Sequence, residues 1–204
     1  VCSSDLPGRC SRAAGRSIVT MWAVNDRVRT WMCDGPSPEA WAFHRGLATY
    51  RATDLVDLPA LAAQLGIGRL LAKNEADRLG LPAFKGLGAS WAINRVLAAR
   101  TGGGPATIVT ATDGNHGRAV AHFSRLLGHR ATIVIPPGVH PQAVQAFIDE
   151  GAHVVRVQGS YDDAVAHAAD LARAPGHLLV QDTAWEGYQD VPAWIVEEIG
   201  RAHV

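Results

Sequence analysis

Four short apolar runs dominate the second half of this chain: ATIVTAT at 106–112, ATIVI at 131–135, HVVRV at 153–157 and HLLVQD at 177–182. Each is rich in Val, Ile or Leu, the residues that suit a pleated, buried strand. Between them lie RAVAHFSRLLG, PQAVQAFIDEGA and DDAVAHAADLARA, three stretches with apolar residues at helical spacing that end in or near glycine. Strand, helix, strand at roughly two dozen residues per step is the βαβ signature, and a right-handed crossover makes neighbouring strands parallel. Parallel strands are covered on both faces, which explains why these runs read as continuously apolar. The pattern predicts an open α/β fold with a parallel sheet. Ligands of such sheets sit beyond the carboxyl ends of the strands, so DGNHG, PPGVHP, QGSYDD and TAWEG are the loops in which to seek chemistry.

The first half is less regular. PSPEAWAFHRGLATYR, 36–51, predicts an amphipathic helix with Trp41, Phe43 and Leu47 at helical spacing, and Leu58 to Leu65 predicts a second. RLLAKNE, 69–75, has the length and flanks of a buried strand, and ADRLG after it reads as a surface turn carrying Asp77 and Arg78. A further helix is expected from Lys85 to Arg100, stopped by glycines. The opening VCSSDLPGRCSRAAGRS has no periodicity, and the closing EEIGRAHV breaks off within a helix. Both ends read as foreign additions to an N-terminal fragment.

Composition removes several classes. With 19 basic and 19 acidic residues the formal net charge is zero, which offers nothing to nucleic acid or an acidic membrane. Small-molecule partners are expected. No apolar run reaches the roughly 18 residues that span a bilayer and no signal-peptide core opens the chain, so a cytoplasmic protein is expected. Cys2, Cys10 and Cys33 form no CxxC and no pairing pattern with histidine, and no metal site is expected. His116 and His122 fall on different helical faces and lack a third ligand. A nucleotide fingerprint is missing, because GLGASW lacks its third glycine and GGG at 102–104 precedes a strand.

Three motifs could carry chemistry. In PAFKGLGAS, Lys85 opens a helix beside Phe84 and Leu87, and a desolvated lysine amine forms imines with aldehydes. Gly86 and Gly88 would let a bulky planar ligand approach the backbone. In TATDGNHGR, a strand runs into a glycine-bracketed loop and then a helix, a geometry that presents amides and side chains to a planar or anionic ligand. The same residues also suit an ordinary turn, with Asp113 capping and Asn115 bonding locally. His116 reads as a loop or helix-start residue. In QDTAWEGYQDVPAW, Asp182 closes the fourth strand among aromatics, where it could cap a turn or attract a cationic substrate. Trp185 and Tyr188 either shape a pocket wall or pack.

Together these motifs resemble the pyridoxal-phosphate enzymes of the tryptophan synthase β and threonine dehydratase family, fold type II, and within it the diaminopropionate ammonia-lyases. The resemblance runs from about Tyr50 to Trp194. It implies that Lys85 carries pyridoxal 5'-phosphate covalently, with Phe84 beside it, and that Asn115 contacts the 3'-oxygen of the ring, as the asparagine of SGNHG does in threonine dehydratases. Asp113 stands where the dehydratases have a small hydroxyl residue. TDGNHG and DTAWEGY are the ammonia-lyase forms, and those enzymes accept both D and L substrates, whose Cα protons face opposite sides of the cofactor. The resemblance therefore implies two bases, Lys85 for the L isomer and Asp113 for the D isomer, with Asp182 in a catalytic or substrate-binding role. Elimination from 2,3-diaminopropionate would yield pyruvate and ammonia. A serine or threonine dehydratase of the same fold and a non-catalytic ligand-binding fragment are the alternatives.

The sequence departs from the family where K-D-E-S becomes Lys73, Asn74, Glu75, Ala76, and where G-G becomes Gly88, Ala89. The glycine-rich phosphate loop and the residue facing the pyridine nitrogen do not occur here. The expected organisation is a foreign tail at 1–17, the start of the large cofactor domain at 18–87, a complete small α/β subdomain at 88–182, and a truncated return at 183–204. A homodimeric parent is implied, and this stretch by itself is expected to be inactive.

Overall fold

The computed structural model describes residues 37–197. The expected foreign tail, the three cysteines, Pro36 and residues 198–204 lie outside the described residues. In chain order the elements are α1 (Pro38–Arg45), β1 (Leu55–Asp57), α2 (Pro59–Leu65), β2 (Leu71–Lys73), α3 (Lys85–Ala99), β3 (Thr107–Ala111) and α4 (Asn115–Leu126). There follow β4 (Arg130–Ile135), α5 (Pro141–Asp149), β5 (His153–Arg156), α6 (Tyr161–Leu171), β6 (His177–Leu179) and α7 (Asp190–Glu197).

The four apolar runs form one parallel sheet in the order β5-β4-β3-β6. The chain enters at β3, steps outward through β4 to β5, and then crosses back to place β6 on the other side of β3. Every strand alternates between two covered faces. Ile108 of β3 and Ile133 and Ile135 of β4 point into a core with Ala119, Val120 and Phe123 of α4 and Ala89, Ala92 and Ile93 of α3. Val109, Ala111 and Val134 point the other way, onto Ala164 and Ala168 of α6. A fully buried isoleucine contributes about 1.5–3 kcal/mol, and helices on both faces supply that burial to every residue of β3.

Helix α3 is enclosed on all sides from Gly86 to Ile93 and packs against α4 and α7. A methyl group on Gly88 would lie 2.8 Å from the Ile195 carbonyl oxygen, and one on Gly86 would meet Arg78, Leu81 and Phe123. Gly88 therefore serves helix packing, which corrects the expectation that it admits a planar ligand, whereas the contacts at Gly86 would be ordinary ones.

Other expectations are corrected in the first half. The RLLAKNE segment is not a buried strand. Only Leu71–Lys73 pairs, antiparallel to Leu55–Asp57, and Leu71 is exposed, because a two-stranded ribbon leaves both faces open. Helix α1 ends at Gly46, short of Leu47, and buries Ala40 and His44 while Trp41 remains exposed beneath the Arg45 guanidinium. His44 reaches across to α3, with Nε2 3.0 Å from the Ser90 hydroxyl. Arg78 is buried, not on a surface turn: its guanidinium donates to both Glu75 carboxylate oxygens at 2.5 Å and to the Thr53 hydroxyl at 2.7 Å. Asp77 does sit at the surface, paired with Arg51.

Candidate functional site

The return of β6 to the side of β3 brings the loops after these two strands together at the carboxyl edge of the sheet. This is the topological switch point, where neighbouring connections leave in opposite directions and open a crevice. Lys85, at the first turn of α3, reaches the same place.

Local chemistry positions each part. The Arg78–Leu81 turn closes with paired backbone bonds of 2.8 and 3.0 Å, and Leu79 is held in the left-handed region at φ 57° by complete burial. That turn lies against Gly86 and sets the entry to α3. After β3, the Thr112 hydroxyl accepts from the Gly114 and Gly117 amides at 3.1 and 3.2 Å. Helix α4 therefore starts at Asn115, three residues earlier than RAVAHFSRLLG predicts, and Thr112 rather than Asp113 closes the turn. Gly117 is obligatory for that approach, since a Cβ there would lie 2.1 Å from the Thr112 methyl carbon. Gly114, at φ −167°, faces open space.

Of the two lysines in the sequence, Lys73 donates to the Thr53 carbonyl at 2.6 Å. Lys85 Nζ donates to Asp182 Oδ2 at 3.1 Å and lies 5.8 Å from the centre of the Phe84 ring. The pair is half-buried, with 32% and 20% of the two side chains exposed. Behind it stands His116, which the sequence leaves as a plain helix-start residue but which is buried to 4% exposure. Its Nε2 donates to the Val180 carbonyl at 2.9 Å, so in the neutral ring Nδ1 carries the lone pair. Nδ1 is buried, has no hydrogen-bond partner, and lies 3.9 Å from Asp182 Oδ2.

Burial holds the His116 imidazole below its ordinary value, against the pull of Asp182, so the ring is uncharged at neutral pH. Burial would raise the Asp182 carboxyl, yet the group is held below the usual carboxylate range, by an imidazolium at His116 where that ring is charged and by the charge and hydrogen bond of Lys85. With the ring uncharged, Lys85 is the cation that Asp182 faces.

Gln181, fully buried, is the other residue that sequence reasoning passed over. Its Oε1 accepts from the Ala111 amide at 2.8 Å and the Thr110 hydroxyl at 3.0 Å. A backbone N–H can only donate, which fixes the sense of the amide. Nε2 therefore donates to the Tyr161 hydroxyl at 3.1 Å and to Asp182 Oδ1 at 3.3 Å. Burial, then the Asp182 and Asp113 carboxylates, push the Tyr161 hydroxyl above its ordinary value, so it stays a neutral donor. Tyr188 supports the loop from the far side, accepting from the Gln181 amide at 2.9 Å and stacking on Trp185 with centroids 4.3 Å apart. The only local signal for His116 and Gln181 is polarity where the pattern is apolar.

Of the expected site residues, then, Lys85, Phe84 and Asp182 are brought together. Asp113 and Asn115 lie on the adjacent rim, exposed, and among the described residues neither side chain has a hydrogen-bond partner. The donor set suits an aldehyde cofactor: a half-exposed primary amine, an unpartnered amide at the start of α4, and an exposed aromatic ring beside the amine. Lys85, Asn115 and Phe84 are the residues that would hold it. Among the described residues no cluster of His, Cys, Asp or Glu could hold a metal ion, and no helix is long and apolar enough to cross a membrane.

A family model described as pyridoxal-phosphate dependent enzyme matches residues 47–204. The diaminopropionate ammonia-lyase of Escherichia coli (strain K12) is 38% identical over 170 residues, which are 76% of this chain and 43% of that protein. The L-threonine ammonia-lyase of Geobacter sulfurreducens is 32% identical over 130 residues, 64% of this chain and 31% of its own length. The crystal structure of the E. coli diaminopropionate ammonia-lyase in complex with D-serine aligns with a TM-score of 0.73 at 37% identity, covering 79% of this chain and 47% of that one. The chain spans less than half the length of the diaminopropionate and L-threonine ammonia-lyases it matches.

Proposed function

This chain belongs to the family of pyridoxal-phosphate dependent enzymes, and from that premise we propose that the whole protein eliminates ammonia from 2,3-diaminopropionate of either hand, leaving pyruvate and ammonia. The observation that carries the proposal is the Lys85–Asp182 pair at the switch point, with Asp113 on the same rim. The likeness to diaminopropionate ammonia-lyase supports the substrate, and the D-serine complex of the E. coli enzyme supports acceptance of the D hand.

Bound pyridoxal phosphate would supply an electron sink for the negative charge left at Cα. The remaining work falls to side chains of this chain. Lys85 provides the amine for covalent attachment and, once free, takes the Cα proton of the L isomer. Asp113, exposed and unpartnered, takes that of the D isomer. Asp182 holds the Lys85 amine in place and attracts the ammonium groups of a doubly cationic substrate into the crevice. Asn115 and Phe84 orient the cofactor ring. An amino-acid substrate, a homodimeric whole protein and a cytoplasmic location belong to the same proposal.

The test is to incubate the whole protein, loaded with pyridoxal phosphate, separately with diaminopropionate and with threonine, and to measure pyruvate and 2-oxobutyrate. Pyruvate from both hands of diaminopropionate is expected. Product from threonine alone would replace this reading with that of a dehydratase.

A further inference from the structure

His116 has one nitrogen satisfied and one not. Nε2 donates to Val180, while Nδ1 is buried, without a partner, and 3.9 Å from Asp182 Oδ2. Leaving a buried polar nitrogen unpaired is costly, so an apolar residue would be the simpler occupant of the first turn of α4 if packing were its whole task. The same Asp182 oxygen accepts from Lys85. The three groups form a line, Lys85 Nζ to Asp182 Oδ2 at 3.1 Å and Asp182 Oδ2 to His116 Nδ1 at 3.9 Å.

That line bears on a problem any lysine in this position must solve. An ammonium group is not a nucleophile, yet removing its charge would strand a half-buried carboxylate without a cation. We infer that His116 is a positioning residue acting through Asp182: its Nδ1 receives the proton that Lys85 sheds, so that the amine becomes nucleophilic while Asp182 stays ionised and paired. An N–H bond of Lys85 breaks and the electron pair stays on Nζ. The proton passes to Asp182 Oδ2 and from there to the lone pair on His116 Nδ1, whose Nε2–H bond to Val180 is kept. The summed charge of the three groups is unchanged, and no external acid or base is required. Hydrogen bonds of this kind span about 2.7–3.2 Å, so the carboxylate must close on the ring by most of an ångström.

Among the described residues, the ionisable groups that face His116 are Asp182 beyond β6 and Lys85 on α3, and they act on it in opposite directions. Burial keeps the ring neutral while Lys85 is charged. Once that charge is gone, burial alone opposes Asp182 and the Val180 carbonyl, both of which favour the imidazolium.

The inference rests on the reading of Lys85 as the amine that meets an aldehyde cofactor, but its test needs no cofactor. Histidine rings labelled with carbon-13 and nitrogen-15 in the cofactor-free whole protein would be titrated by NMR, the His116 signal being assigned by its loss in His116→Gln. In wild type a neutral ring with the proton on Nε2 is expected at neutral pH. In Lys85→Met the His116 midpoint should rise by about one to three pH units, and the rise should vanish when Asp182→Asn is added. Lys85→Gln serves as a second variant should the first not fold. An unmoved midpoint in the folded lysine variants, or a rise that survives Asp182→Asn, overturns the inference. The pyruvate assay tests the lyase reading separately, so either can fail while the other stands.

Discussion

Lys85 and Asp182 stand 97 residues apart in the chain and 3.1 Å apart in space, joined by an ammonium–carboxylate bond at the edge of the sheet. Neither residue is held by its own loop alone. Lys85 is set by the buried Arg78–Leu81 turn under α3, and Asp182 by the Gln181 amide locked onto the end of β3.

Removing the charge of Asp182 while keeping its size should release Lys85. For Asp182→Asn, kcat/KM for diaminopropionate is expected to fall by about 10- to 1000-fold, the usual range for breaking a half-buried charge pair. Lys85→Met should show no covalent cofactor at all. Steady-state pyruvate assays and absorbance of the loaded protein check both; an Asp182→Asn enzyme within about twofold of wild type would remove this carboxylate from the mechanism.

Asp113 should separate the two hands of the substrate. In Asp113→Asn, turnover of D-diaminopropionate is expected to drop by about 10²- to 10⁴-fold, the usual range for loss of a general base, with the L isomer much less affected. Equal losses on both isomers in parallel assays would show that Asp113 is not a face-specific base.

Three glycines near the site should differ sharply when changed to alanine. Gly117→Ala drives a methyl group into Thr112, and Gly88→Ala drives one into the Ile195 backbone, so each should destabilise by about 1–3 kcal/mol. Gly114→Ala meets nothing within 4 Å at an ordinary extended φ and should leave the unfolding midpoint nearly unchanged. Thermal denaturation of the three variants gives the ranking directly.

Glu75 and Arg78 should make stability depend on acid. Burial would raise the Glu75 carboxyl, but the hydrogen bonds from Arg78 and Thr53 outweigh it and hold the group below its ordinary value. A carboxyl whose folded value lies below its unfolded one stabilises the fold above the unfolded value and loses that contribution as pH falls through the folded one. Wild type should therefore lose stability steeply on acidification. Glu75→Gln, which strands a buried guanidinium, should be less stable by about 3–5 kcal/mol at neutral pH. The gap should narrow as pH falls below the ordinary carboxyl range. Melting curves across that range test it, and a gap independent of pH would exclude the carboxylate as the source.

The continuous apolar runs from Ala106 to Asp182 determined a parallel α/β sheet by themselves, because only strands covered on both faces tolerate such composition. The local motifs singled out Lys85, Asp113, Asn115 and Asp182 as candidates, but their expected roles came from the family resemblance, because a helix-start lysine or a strand-end carboxylate equally suits an ordinary turn. Periodicity could not reveal strand order. It is the crossing of β6 back to β3, decided by which faces α4 and α6 cover, that places Asp182 against Lys85. The burial of Arg78, the open ribbon of β1 and β2, and the packing role of Gly88 also depend on neighbours distant in the chain. His116 and Gln181 show the same limit: each is a polar residue whose neighbours, Val180 and Asp182 for one and Ala111 and Tyr161 for the other, lie across crossovers. What a local pattern can specify is the chemistry available; which groups share a proton is decided by the tertiary fold, because hydrogen bonds act only across a few ångströms of space.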